Sequence, residues 1–233
     1  MPNRIKQIDG LEDLDYLREA AKYFHHKARS TAMGWRLFEP SYFIYAYFAF
    51  NSFYSVDWRN TIKEEQLLSY DYRDEATKAS KMIQDLVGFI SKSFNNDKYL
   101  LLSEFDLYVR NAWAFLQTEI AENDGNSSRQ SLEEAIEELE GIRLFGCLNE
   151  EEDKLRFREA INRLLVEPRT SRDFARDLTI TLKTINGVRN NIFHGEKSVV
   201  YMMNDEKQRR RLMFYTTILL ATNDLLFEAI DRA

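Results

Sequence analysis

Arg189 and His194 are the residues of this chain best suited to do chemistry together. They lie in the stretch Thr184-Ile185-Asn186-Gly187-Val188-Arg189-Asn190-Asn191-Ile192-Phe193-His194-Gly195-Glu196-Lys197, with four residues between them. A guanidinium is planar and always charged, and its fork of donors matches two oxygens of a phosphate. An imidazole takes up or gives a proton near neutral pH. A fixed cation beside a titratable ring makes the start of a site that acts on phosphate. Arg18 and His25 fit the same loose pattern, with six residues between them. That pair falls in mid-helix with no glycine or loop nearby and reads as surface. For Arg189 and His194 the competing reading is a surface arginine and a histidine that ends a helix.

The support is a helix. Phe174, Leu178, Leu182, Ile185, Val188 and Ile192 recur at three- and four-residue steps and predict one apolar stripe. Thr170 or Ser171 is the expected cap at its start. Gly195 is placed just past its end, where a left-handed residue is needed. His194 would then lie among the unsatisfied carbonyls of the last turn, which favour a cation. Arg189 falls at the edge of the stripe. Gly187, Asn190, Asn191 and His194 share the opposite face, and Gly187 would admit a second backbone closely.

The remaining elements are also read as helices. Leu11 to about Phe38 shows Leu14, Leu17, Ala21, Phe24 and Ala28 on one side. Pro40 opens the next helix, Ser41 to Trp58, which is aromatic on every side and therefore expected at the centre of the bundle. Its aromatics make a strand the competing reading, and the absence of turn signals over this length favours the helix. Within it Asn51 reads as a buried amide satisfied by its neighbours. Tyr70 to Phe94 has Met82, Leu86, Phe89 and Ile90 as its inner face, and Asn95-Asn96-Asp97 breaks it. Tyr99 to Ala121 follows with Leu102, Phe105, Val109, Trp113 and Leu116, and Asn123 to Ser128 is a loop. Ser131 with Glu134 forms a capping box before an acidic helix to Phe145. Glu151 to Leu165 precedes the Arg189 helix. Asn204 or Asp205 caps a final helix to Ile230, with Leu212, Tyr215, Leu219, Thr222 and Leu226 inward. The sum is an all-α bundle of about eight helices in one domain over residues 1–233.

Composition agrees and narrows the partners. Eight Gly and three Pro suit long helices and suit a β-sandwich poorly. Cys147 is the single cysteine, so there is no intramolecular disulfide and no cysteine cluster for zinc, which points to a reducing compartment. Met1 to Leu14 is polar, and the most apolar run, Tyr42 to Tyr54, is too short to span a bilayer, so a cytoplasmic, non-membrane protein is expected. The net charge of −6 argues against nonspecific coating of nucleic acid. Yet residues 169–211 carry 10 basic and 5 acidic side chains, +5 against −11 for the rest. That segment either pairs with the acidic helices or faces an anion. Glu150-Glu151-Glu152-Asp153 reads as a solvated helix start rather than a metal site, and His25-His26 lacks a further histidine at ligand spacing. No metal and no cofactor is expected.

Arg189-Asn190-Asn191-Ile192-Phe193-His194-Gly195-Glu196-Lys197 resembles the signature of the HEPN (higher eukaryote and prokaryote nucleotide-binding) superfamily. That mark is an arginine, then a polar residue, then a histidine after four to six residues, on the helix before the last in an all-α bundle. Phe50-Asn51-Ser52-Phe53-Tyr54 is similar to an early helix of the family. The likeness in helix order covers about residues 40–233, with 1–39 an N-terminal extension and 131–165 an acidic elaboration. The resemblance implies a metal-independent endoribonuclease acting as a homodimer whose two motifs face each other, in toxin–antitoxin or antiviral defence, with an antitoxin as a possible partner. In that reading Arg189, Asn190 and His194 are catalytic and leave 2′,3′-cyclic phosphate ends on RNA. Lys197, Arg209, Arg210 and Arg211 would contact phosphates, with Tyr201 close by; a solvated helical face is the alternative for the three arginines. The runner-up function is a non-catalytic HEPN-like module that binds nucleic acid, nucleotide or a protein.

Overall fold

The computed structural model describes residues 22, 38–54, 75–124, 131–137, 150–166, 168, 173–193 and 205–233. Within them every extended element is an α-helix: α1 (Phe38–Tyr54), α2 (Glu75–Ser93), α3 (Lys98–Asp124), α4 (Leu132–Glu137), α5 (Glu151–Val166), α6 (Phe174–Phe193) and α7 (Glu206–Arg232). No strand occurs among the described residues. The helix expected from Leu11 to Phe38 lies outside them apart from Lys22 and Phe38, as do Cys147, His25 and His26.

The core is built around α7. From Leu212 to Asn223 every residue of this helix is buried, as expected when a helix is apolar on all sides. Most of its interior polar groups have partners, although Asn223 Oδ1 is buried with none among the described residues. The hydroxyls of Thr216, Thr217 and Thr222 donate to the carbonyls of Leu212 (2.6 Å), Met213 (2.9 Å) and Ile218 (2.7 Å), one turn back. Asn223 Nδ2 donates across to the Ala46 carbonyl of α1 at 3.0 Å. α1 and α3 pack along α7, and α2 also touches it. Trp113 of α3 stacks on Phe214 at 5.2 Å and 14°, and Phe53 of α1 meets Phe227 edge-on at 5.7 Å. One continuous apolar core draws side chains from all seven helices.

α1 buries one face deeply, with Tyr42, Phe43, Tyr47, Phe50 and Phe53 each at most 1% exposed. Ile44, Tyr45, Phe48, Asn51 and Ser52 are only half-buried, so the expectation of a helix covered on every side is corrected: that place belongs to α7. α1 begins at Phe38, three residues before the expected start, so Pro40 lies within the first turn, where its missing N–H still removes no helical bond. Asn51 is half-buried rather than buried. α3 runs on through Asn123 and Asp124, which the sequence assigns to a loop. Polar residues can continue a helix by one turn, so composition alone marks the break too early.

Helix boundaries have identifiable chemistry. Asn95 and Asn96 take φ of 54° and 58°, the left-handed region that asparagine tolerates, and this stops α2. Asp97 then caps α3 through its Oδ1, which accepts from Leu100 N–H at 3.1 Å. The Ser131–Glu134 capping box forms in both directions, at 2.9 and 3.1 Å. Asp205 caps α7, accepting from Gln208. For α6 the cap is Asp173, whose Oδ1 accepts from Arg176 N–H at 3.1 Å. Thr170 and Ser171 lie before it, outside the described residues, and the expectation that either caps α6 is corrected to Asp173.

Two contacts then lock the start of α6. The Arg163 guanidinium of α5 grips Asp177 with two parallel bonds, Nε to Oδ2 at 2.7 Å and Nη2 to Oδ1 at 2.8 Å. Phe174 meets Phe105 of α3 edge-on at 5.0 Å. Asp177 is buried while Arg163 keeps its outer edge in water. Asp177→Ala should therefore lower stability by about 1.5–3 kcal/mol, the range for a charge-assisted bond, seen as a lower urea midpoint with an unchanged slope. An unmoved midpoint would mean that water replaces the carboxylate without loss.

Candidate functional site

Arg189 and Asn190 lie near the C-terminal end of α6, and what positions them is a tyrosine of α1. Tyr47 is almost wholly buried, so its hydroxyl needs a partner inside the protein. It donates to Asn186 Oδ1 at 2.5 Å. One turn further along α6, the Arg189 guanidinium lies over the Tyr47 ring, 5.3 Å from its centre. Residues three and four apart share a helix face, so Asn186, Arg189 and Asn190 are brought to the same side. Arg189 Nη1 donates to Asn190 Oδ1 at 2.8 Å, and Arg189 Nε is buried. The cation is thus held over an aromatic face and bonded at its edge to an amide.

That geometry has chemical consequences. A guanidinium over an aromatic face gains attraction without being neutralised. Asn190 spends its oxygen on the arginine, which leaves its Nδ2 hydrogens as donors for an anion. The arrangement orients the arginine and sets an amide donor beside it.

His194, Lys197 and Tyr201 lie outside the described residues. Arg189 and Asn190 are brought into contact. Arg209, Arg210 and Arg211 occupy the first turns of α7, each half-buried, with Arg211 Nε buried. They form a partly covered cationic segment. The acidic run at the start of α5 is exposed. Glu151 bonds Lys154 at 2.5 Å, Glu152 bonds Arg156, and Asp153 lies 3.9 Å from Arg156. Among the described residues no group of three histidine, cysteine or acidic side chains could hold a metal ion. None of the described helices is long and apolar enough to cross a membrane.

Tyr47 and Asn186 are the positioning residues that sequence reasoning missed. Tyr47 was one aromatic among many in α1, and nothing in its local pattern marks the one whose hydroxyl faces α6. Asn186 carried a weak signal, a polar residue one turn before Arg189.

No family model, no curated protein and no solved structure matches this chain.

The Tyr47 contacts separate cleanly by substitution. Tyr47→Phe removes the bond to Asn186 and keeps the ring, so it should cost about 1 kcal/mol and preserve the upfield ring-current shift of the Arg189 side-chain protons. Tyr47→Leu should abolish that shift in the proton NMR spectrum. Unshifted Arg189 protons in the wild type would show that the guanidinium does not rest on the ring.

Proposed function

We propose that this chain is a HEPN-like, metal-independent endoribonuclease that works as a homodimer through Arg189 and His194. One observation carries the reading: Arg189 is held on Tyr47 and against Asn190 at the end of the helix that leads into the His194 segment. A cation fixed before substrate arrives gives up less freedom on binding and meets developing charge without rearranging.

In this mechanism the His194 imidazole removes the proton of a ribose 2′-hydroxyl. The 2′-oxygen attacks the adjacent phosphorus, and the bond from phosphorus to the 5′-oxygen breaks. The leaving 5′-oxygen takes a proton, giving a 5′-hydroxyl, while the other fragment keeps a 2′,3′-cyclic phosphate. Arg189 holds the nonbridging oxygens with paired donors, and the Nδ2 of Asn190 adds another. One histidine supplies one proton-transfer group; His194 of the partner subunit would supply the acid. The face of Gly187 and Asn190 is the proposed contact between copies. Lys197, Arg209, Arg210 and Arg211 would hold phosphates beyond the cut without reading bases. The setting proposed is toxin–antitoxin or antiviral defence.

The test is incubation of the purified chain with a labelled structured RNA in EDTA, beside His194→Ala and Arg189→Ala. Wild type should yield cyclic phosphate ends, and each variant should lose on the order of 10²-fold or more in rate. Equal cleavage by the variants would sink the assignment. RNA binding without cleavage by wild type would make the chain a non-catalytic binding module.

A further inference from the structure

An open cleft of about 580 Å³ lies between α2, the first turns of α5 and the first half of α6, a size typical of small-ligand sites. Val87 and Ile180 give it an apolar lining, and Arg156, Arg176 and Lys183 give it a cationic one, with Asp153 beside Arg156 as the acidic lining residue. Lys183 is half-buried and has no carboxylate partner among the described residues. Burial pushes its ammonium below the ordinary lysine range, and Lys81 pushes the same way. Lys81 itself is paired with Asp85 at 3.6 Å. Arg176 is exposed and likewise has no carboxylate partner among the described residues. Arg156 pairs with Glu152 and Asp153 in exposed contacts, which exchange for a stronger anion at little cost.

The cleft lining ends at Thr184, and Asn190 lies further along the same helix, α6. Arg176, Lys183 and Asn190 follow one another at seven-residue steps. Seven residues fall about 20° short of two turns, so the three lie along one side of the helix, about 10 Å apart. A ligand with a flat apolar part and an anionic part suits such a lining, and a nucleoside phosphate has both.

We propose that this cleft is a second RNA subsite, which seats a base of the substrate strand against Val87 and Ile180 and its phosphate against Lys183 and Arg176. The proposal rests on the ribonuclease reading of Arg189 and His194 and makes α6 a track along which the strand runs. Lys183 and Arg176 are binding residues here, one helical heptad and two from Asn190. A free nucleotide presents the same groups as one residue of a strand.

Binding is measured on the full chain carrying His194→Ala, so the outcome does not depend on cleavage. The probe is a fluorescein-labelled single-stranded oligouridylate, followed by anisotropy over a range of salt. Adding Lys183→Met with Arg176→Met should weaken binding tenfold or more. It should also lower the slope of log affinity against log salt by about 0.7 for each phosphate that the protein no longer neutralises. The melting temperature should hold or rise, because a part-buried cation without a carboxylate partner has been removed; Lys183→Arg should keep the affinity. Uridine monophosphate that displaces the probe from the parent but not from the double variant would show that free nucleotide enters the cleft too. Displacement by neither would restrict it to a strand, and both results agree with the proposal. An unchanged affinity and salt slope in the double variant would overturn it. So would no binding of the probe at all, or an oligoglutamate bound as tightly as the RNA. Failure of the cleavage assay with this binding result intact would remove the catalytic reading and leave the subsite.

Discussion

The unbroken burial of α7 from Leu212 to Asn223 is the constraint on which the rest of the bundle depends. A helix covered on all sides leaves no face for solvent, so its neighbours must close around it and supply large side chains to fill the gaps. α1 and α3 do this with Phe43, Phe53 and Trp113. Among the polar residues inside α7, three threonines bond their own helix and Asn223 Nδ2 reaches the carbonyl of Ala46. This leaves Asn223 Oδ1 buried without a partner among the described residues. Near the end of the helix, Tyr108 of α3 bonds Glu228 at 2.5 Å; burial pushes the phenol well above its ordinary range, and the carboxylate adds to that. Glu228 also holds Arg232, whose guanidinium covers Phe94 at 4.6 Å.

Because α1 must pack into that centre, it also comes within reach of the end of α6. Tyr47 serves both purposes: its ring fills the core while its hydroxyl and π-face bind Asn186 and Arg189. The other end of α6 is fastened by different means, the Asp173 cap and the Arg163–Asp177 fork. A helix clamped at both ends moves as part of the core, and a side chain on it is held to a narrow range of positions. This is why Arg189 and Asn190 are held in fixed positions at the end of α6.

Charge follows the same division. The arginines that meet carboxylates closely, Arg110 with Glu133 and Asp106 and Arg163 with Asp177, are held above their ordinary range by those partners. They tie helices together and are satisfied. Glu133 is held below the usual carboxylate range, first by its bond to a backbone amide at the start of α4 and then by Arg110. Lys183 is shifted in the unfavourable direction, and relief of such a shift is what a bound anion provides. The satisfied arginines lie before the basic segment 169–211, and Lys183 lies within it.

Periodicity and caps in the sequence determined the helices. The apolar stripes of α2, α3, α6 and α7, the aromatic character of α1, the Asn95-Asn96 break and the Ser131–Glu134 box are local, so a reading of neighbours suffices to find them. It erred at Asp173 and at the end of α3, where several polar residues compete and the choice depends on what the next element packs against. The motif itself was legible in the order Arg189, Asn190, His194. What only the tertiary structure decided is everything that joins residues far apart in the chain. The pairing of Tyr47 with Asn186 spans 139 positions, and the cleft draws on three helices. No local pattern encodes which of many aromatics meets which helix face, because that choice is made by close packing of the whole core.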